Sequence, residues 1–244
     1  ASSTTKNEIY RVILNFGTGK IYPQSLTSAS YTTPNDYFIY GLWDSDMSGW
    51  NGKSIVKYES LASASTITSS ELVNKTITEV TYTDAATGTS GLRTVSGSTV
   101  CWKGSTTCGA AASANSHRGW KMELPQTNEQ IVYNPSIQDG FVIFNTTVPE
   151  VAQVLTCDLQ AAAGFTMALL PDNATPTKSY FKNFPTDSGV VAGVGASGTG
   201  SPITVSTGSK KYILTQNVSG KGSVYEVDPS ANSTSKRITW IRRR

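Results

Sequence analysis

The chain has 244 residues, 38% of them hydrophobic and 15% charged, with a formal net charge of +3. That is enough apolar material for a substantial core, as one large all-β domain or two small ones, and too much for a disordered polymer. Ser and Thr make up roughly a quarter of the residues, a balance common in β-rich extracellular proteins and unlike that of helical cytoplasmic enzymes.

Taken from the N-terminus, residues 1–8 read as a flexible polar segment and 9–241 as a β domain. Alternating apolar stretches bounded by turn residues predict strands at Ile9 to Phe16, Tyr37 to Tyr40, Ile55 to Tyr58 and Ile77 to Tyr82. Others follow at Arg93 to Val95, Thr99 to Trp102, Trp120 to Leu124, Ile131 to Tyr133 and Phe141 to Phe144, then at Phe165 to Leu170, Ile203 to Ser206, Lys211 to Thr215, Ser223 to Val227 and Arg237 to Ile241. Pro125 and Asn134-Pro135 stop strands because proline cannot donate to a ladder, and Asp139-Gly140 marks a tight hairpin. Helical competition is confined to Ser69 to Asn74 and Glu150 to Gln160, both short. Residues 242–244 form a basic tail, and with Lys236 and Arg237 they read as a solvated cluster; no nucleic-acid partner is expected.

A loose unit recurs along these strands: an apolar strand, a small polar turn, then an aromatic or apolar strand ending near an acid. It runs from Val12 to Asp44, from Phe141 to Asp172 and from Lys211 to Asp228, with a degenerate copy from Ile77 to Leu124. Repetition of a two-strand core with variable insertions is the mark of propeller blades, and at about 40 to 50 residues per blade this chain supplies roughly four. Trp120 to Leu124 then finishes one blade and Ile131 to Phe144 begins the next, with the junction at Pro125.

No run of about twenty apolar residues occurs, the length a membrane-crossing helix needs. The chain opens on a polar stretch without Met or an apolar leader, and reads as a processed or excised piece of something longer. Cys101 and Cys108 bracket a short Gly-containing loop, so a local disulfide and an exported protein are expected. Cys157 is left over, as a buried thiol or one whose partner lies elsewhere.

Candidate sites are few. His117 is the only histidine and reads as a loop anchor rather than a catalytic base. Gly17-Thr-Gly19 lacks the Gly-Lys-Ser/Thr of a phosphate loop and reads as a strand-end turn. Asp44 and Asp46 have the opening spacing of a calcium loop, but Ile55 stands where the closing Glu belongs, so no metal site is assigned. Trp43, Trp120 and Trp240 read as core; Trp50 and Trp102 lie in or beside loops and are the candidate surface-binding residues. Binding is placed on the loops Tyr22 to Asn35, Ser45 to Lys53, Asp84 to Gly91, Gly104 to Ser116 and Asp172 to Gly200.

Six segments occur in an order that resembles the C-terminal domain of the type IV pilus tip-associated adhesins, the PilC/PilY family. They are Phe16-Gly-Thr-Gly-Lys20, Tyr40-Gly-Leu-Trp-Asp44, Gly119-Trp-Lys-Met-Glu-Leu-Pro125, Ile131-Val-Tyr-Asn-Pro135, Gly140-Phe-Val-Ile-Phe-Asn-Thr-Thr147 and Lys236-Arg-Ile-Thr-Trp240. The resemblance implies a modified, quinoprotein-like β-propeller carried behind a von Willebrand factor A-like half. It departs at Asn128-Glu129-Gln130, where relatives tend to have Gly-Glu-Arg, and after Cys157, where Ala163-Gly164 replaces a Gly-Gly pair. It further implies a non-enzymatic adhesin at the pilus tip, cell surface or outer membrane of a Gram-negative bacterium, which promotes pilus assembly or counters retraction. The implied partners are minor pilins, a host or abiotic surface, and the upstream part of the same polypeptide. Some members carry calcium in the propeller, but no complete loop of that kind is present, and no cofactor is evident. A quinone-dependent dehydrogenase on the same fold and a purely structural assembly factor are the competing readings.

Overall fold

In the structure, a computed structural model, the described residues are 10–19, 37–62, 66–84, 89–106, 108–148, 164–185, 188–196, 200–216 and 222–231. The terminal segment 1–8, the loop Tyr22 to Asn35, the helical candidate Glu150 to Gln160 with Cys157, and Arg237 to Arg244 with Trp240 lie outside them. Twelve strands are described: β1 (Val12–Gly17), β2 (Phe38–Asp44), β3 (Leu72–Asp84), β4 (Thr89–Ser96), β5 (Gly119–Glu123), β6 (Ser136–Gln138), β7 (Phe141–Asn145), β8 (Gly164–Leu169), β9 (Val191–Ala196), β10 (Ile203–Thr207), β11 (Lys210–Gln216) and β12 (Gly222–Val227). One short helix, α1 (Ser48–Lys53), follows β2.

Nine strands form one curled sheet in the order β1-β2-β5-β3-β4-β9-β8-β7-β6, and β10-β11-β12 form a separate meander. The repeated sequence unit maps onto antiparallel neighbours: β1 with β2, β7 with β8, and β11 with β12. The degenerate copy is β3, β4 and β5, where β3 pairs antiparallel with β4 and parallel with β5. The 13-residue β3 makes the sheet continuous: Leu72 to Lys75 pair with β5 and Thr76 to Asp84 with β4. At Pro125 the chain leaves the β1-β2-β5-β3 group, and it re-enters the sheet on the other side at β6 and β7.

Three expected strands are absent. Thr99 to Trp102 makes only an isolated bridge between Trp102 and His117, and Ile131 to Tyr133 is extended but unpaired in any ladder. Ile55 to Tyr58 is a loop in which Ile55 is wholly exposed. Strand β9 lies in the stretch expected to be a loop; its Val-Ala-Gly-Val-Gly-Ala run is buried on both faces, so it shows no alternation to read. The helical candidate at Ser69 to Asn74 shortens to a 3-10 turn over Ser69–Glu71. Thr68 and Glu71 form a capping box there, and the β-branched, paired run from Leu72 takes over at once.

The core is built mainly from the inward residues of β2 to β5, β7 to β9, β11 and β12. Trp43, Trp120, Met122, Val73, Phe144, Phe165 and Met167 lie in one buried cluster, and Tyr180, Phe181, Ile143, Ile213 and Tyr225 in a second between the large sheet and the meander. Gly41 faces Trp120 across β2 and β5, and a Cβ there would sit 2.3 Å from the indole, so the missing side chain is what admits the ring. Gly17 and Gly19 press on Ile131 in the same way, and the Ile131 N–H donates to the Thr18 carbonyl at 2.9 Å. The Gly17-Thr-Gly19 turn is therefore a packing device. Asp139, at φ 51°, and Gly140, at φ 81°, form the β6–β7 hairpin turn, and the Asp139 carboxylate accepts from Tyr180 and Lys211, which ties the meander to the sheet.

Candidate surface-contact site

Strand β2 ends at Asp44, and the chain then makes a closed loop that returns at Leu61. Its neck is Ser45, whose carbonyl accepts from the Leu61 N–H at 2.9 Å and from the Ser60 hydroxyl at 3.1 Å. Arg118 donates to the Ser45 hydroxyl at 2.6 Å, and Met47, itself buried, donates its N–H to Ser60 Oγ. Such a loop, compact with its ends joined, is an Ω-loop. Within it α1 forms from Ser48 to Lys53, its turn closed by Asn51 N–H to the Met47 carbonyl and Ser54 N–H to that of Trp50.

Asn51 explains why Ile55 to Tyr58 does not become a strand. Its side-chain amide donates to the Tyr58 carbonyl at 2.7 Å and accepts from the Tyr58 N–H at 2.8 Å, so one side chain takes the place of a partner strand. Tyr58 also bridges to Tyr10, and Glu59 pairs with Arg11. The segment between them bulges into solvent. Trp50 is 57% exposed, Ile55 100% and Val56 53%, with Lys53 and Lys57 exposed among them. Three large apolar side chains on a loop fastened at its neck and middle form a preorganised contact tip.

Trp102, the other surface-binding candidate, is corrected by the structure. It is buried, with 7% exposure, and meets Trp43 edge to face at 6.4 Å. The Arg11 guanidinium lies over both rings, at 5.1 and 5.6 Å, and pairs with Glu59 of the Ω-loop, so Trp102 is a core residue beneath Arg11. The loop that follows it is closed by the Cys101–Cys108 disulfide, with a Cα–Cα distance of 5.5 Å. Asn115, buried inside that loop, accepts from the Cys108 N–H and donates to the carbonyls of Gly109 and Ala111. His117 Nδ1 accepts from the Cys101 N–H at 2.9 Å. Burial, with Lys75 adding its charge, holds the imidazole below its ordinary pKa, so it serves as a neutral acceptor anchoring the loop.

The metal candidates bond within their own turn. Asp44 Oδ1 accepts from the Asp46 N–H, and Asp46 Oδ1 from the Ser48 hydroxyl. Among the described residues no group of three His, Cys, Asp or Glu side chains that could hold a metal ion comes together. The buried charges elsewhere are paired. Arg93, fully buried, bonds both oxygens of the equally buried Glu129 at 2.6 and 2.8 Å and lies 3.4 Å from the centre of the Phe165 ring. Lys75 donates to the Ser98 carbonyl, Asn173 and Thr175.

Trp50 was legible as a loop aromatic, but Ile55 and Val56 were not, because their apolar run carries the same pattern as a core strand. The signal that separates the two cases is the asparagine seven residues before Tyr58, which is visible only once the loop is closed.

No protein-family model matches this chain, and no curated protein does. Among solved structures the chain is similar to the crystal structure of the Pseudomonas aeruginosa PilY1 C-terminal domain, with a TM-score of 0.60 and 18% identity over 90% of this chain. It spans 42% of the solved chain's length. At this identity the likeness is one of fold, and the all-β propeller architecture expected from the strand repeats is the one the chain has.

Proposed function

We propose that the chain is a non-catalytic, exported surface-binding module of the pilus-tip adhesin kind. It attaches through contact area, presenting the Ω-loop tip of Trp50, Ile55 and Val56 from a stiff sheet scaffold. The exposed tip is the observation that carries this reading: large apolar side chains are held in solvent by a loop whose hydrogen bonds leave them no inward role. The fold likeness to the PilY1 C-terminal domain supports the pilus context, and the Cys101–Cys108 disulfide supports export. In that context the pilus-side partners are minor pilins, with a role in pilus assembly or against retraction, and the outward partner is a host or abiotic surface.

The test is adherence of piliated cells carrying the full-length protein with Trp50→Ala. Trp50 is exposed, so the fold is retained, and the expected result is a several-fold loss of adherence with normal pilus number. Unchanged adherence removes the tip as the contact site. Loss of pili together with adherence, on deletion of the whole domain, favours the purely structural assembly role.

A further inference from the structure

We propose that the Ω-loop tip binds the surface of an anionic lipid bilayer, with Trp50, Ile55 and Val56 entering the interface and Lys53 and Lys57 meeting the phosphates. This rests on the reading of the tip as a contact site and names its partner.

The argument starts from what the tip displays. Between Trp50 and Tyr58 the sequence is Trp-Asn-Gly-Lys-Ser-Ile-Val-Lys-Tyr, with two lysines and no acid. Trp50, Ile55 and Val56 stand 57%, 100% and 53% exposed. The acids of the loop sit beside its neck and are engaged there: Asp44 and Asp46 in their own turn, and Glu59 with Arg11. Charge is thus sorted along the loop, cationic with the apolar side chains and acidic toward the scaffold. A protein hot spot is normally a pocketed or flat patch with a mixed rim. A protruding apolar tip ringed by lysines has instead the order of groups found on crossing a bilayer surface, phosphates outside and acyl chains within. Tryptophan favours that interface because its ring is apolar and its indole N–H polar.

Rigidity supports the same assignment. Asn51 holds Tyr58 in both directions, and Ser45 holds Ser60 and Leu61, so the tip has little conformational freedom left to lose on insertion. Gly49 and Gly52, on either side of Trp50, have nothing within 4 Å of where a Cβ would lie, so neither is packed against another part of the chain.

The experiment is co-sedimentation of the full chain with phosphatidylcholine vesicles and with vesicles containing phosphatidylserine. Its companion is quenching of tryptophan fluorescence by lipids brominated in the upper acyl chain. Binding is expected on the anionic vesicles, to fall about fivefold for each of Lys53→Gln and Lys57→Gln, and to be lost in Ile55→Asp. Ile55 is wholly exposed, so that substitution leaves the fold intact, and Ile203→Asp, on the exposed face of β10, serves as the control that keeps binding. Quenching is expected in the parent and absent in Trp50→Phe. Binding without quenching, or binding that survives Ile55→Asp, assigns adsorption to the C-terminal arginines and overturns the proposal, as does failure to bind anionic vesicles at all. If vesicles are ignored while Trp50→Ala still reduces adherence, the lipid assignment falls and the contact reading stands. If Trp50→Ala leaves adherence unchanged, the contact reading falls by its own test.

Discussion

The guanidinium of Arg93 on β4 and the carboxylate of Glu129, in the loop after β5, face each other across a fully buried, two-pronged contact of 2.6 and 2.8 Å. The pair joins the segment that leaves β5 to the middle strand of the nine-stranded sheet. Glu79 on β3 and the ring of Phe165 on β8 complete the enclosure. The place of Glu129 opposite Arg93 supplies a physical reason for an acid at that position.

Removing one member of this pair strands the other. Glu129→Ala is expected to lower stability by about 3–5 kcal/mol, because Arg93 would retain only the partly exposed Glu79. The double substitution Arg93→Met with Glu129→Met is expected to recover most of that loss, since the cost of burying two charges disappears with their attraction. Urea denaturation of the parent and the two variants checks this, and a double variant no better than Glu129→Ala contradicts it.

Gly41→Ala is expected to destabilise despite alanine's being the better-ordered residue in a strand. The new methyl would lie 2.3 Å from the Trp120 indole, which cannot retreat without breaking its 3.0 Å bond from Nε1 to the Pro171 carbonyl. Overpacking of this kind costs roughly 1–3 kcal/mol. Thermal unfolding, with near-ultraviolet circular dichroism to follow Trp120, measures it; a melting temperature equal to that of the parent is the contrary result.

Lys75 ties stability to alkaline pH. Burial depresses its pKa from 10.5 to about 8, while Asp172 opposes the shift. The unfolded chain therefore holds this proton up to higher pH than the folded one, and stability rises as pH increases from about 8 toward 10.5. Below pH 8 the burial penalty is fully present. Comparing urea midpoints of the parent and Lys75→Met at pH 7, 9 and 10 isolates the effect, since only the parent should gain from this group. Parallel pH profiles would mean Lys75 is charged alike in both states.

The small disulfide loop has two fastenings, and they are expected to differ in kind. Opening Cys101–Cys108 by replacing both with Ser costs about 2–3 kcal/mol from freed chain entropy. Asn115→Ala instead leaves the Cys108 N–H and the Gly109 and Ala111 carbonyls without their side-chain partner. Hydrogen exchange at the Cys101 and Lys103 amides, which pair with His117, should stay slow in the Ser variant. Fast exchange there would show that the covalent bond, and not His117, holds the segment.

Much of the scaffold was readable because it depends on short-range chemistry. The β-branched and aromatic runs at Tyr37 to Tyr40 and Ile77 to Tyr82, the stop at Pro125 and the turn at Asp139-Gly140 each act within a few residues, so these strands and the paired repeats follow from local sequence, whereas the start of β3 at Leu72 does not, because Ser69 to Asn74 reads equally as a helical turn. The order of strands does not follow from local sequence either. That β3 leaves β5 and continues along β4, fusing two groups into one sheet, depends on contacts between segments far apart in the chain.

The amino-acid sequence by itself determined an all-β chain, its paired strands, the Cys101–Cys108 link and the availability of Trp50, because each rests on residue type and near-neighbour spacing. Only the tertiary structure decided the two tryptophans' fates and the composition of the tip. Trp102 and Trp50 both lie near loops, but Arg11 and Trp43 close over the first, and the second stays 57% exposed. Ile55 and Val56 have the pattern of a core strand, and what sends them outward is the Asn51–Tyr58 pair, a side chain occupying hydrogen bonds that a neighbouring strand would otherwise have filled.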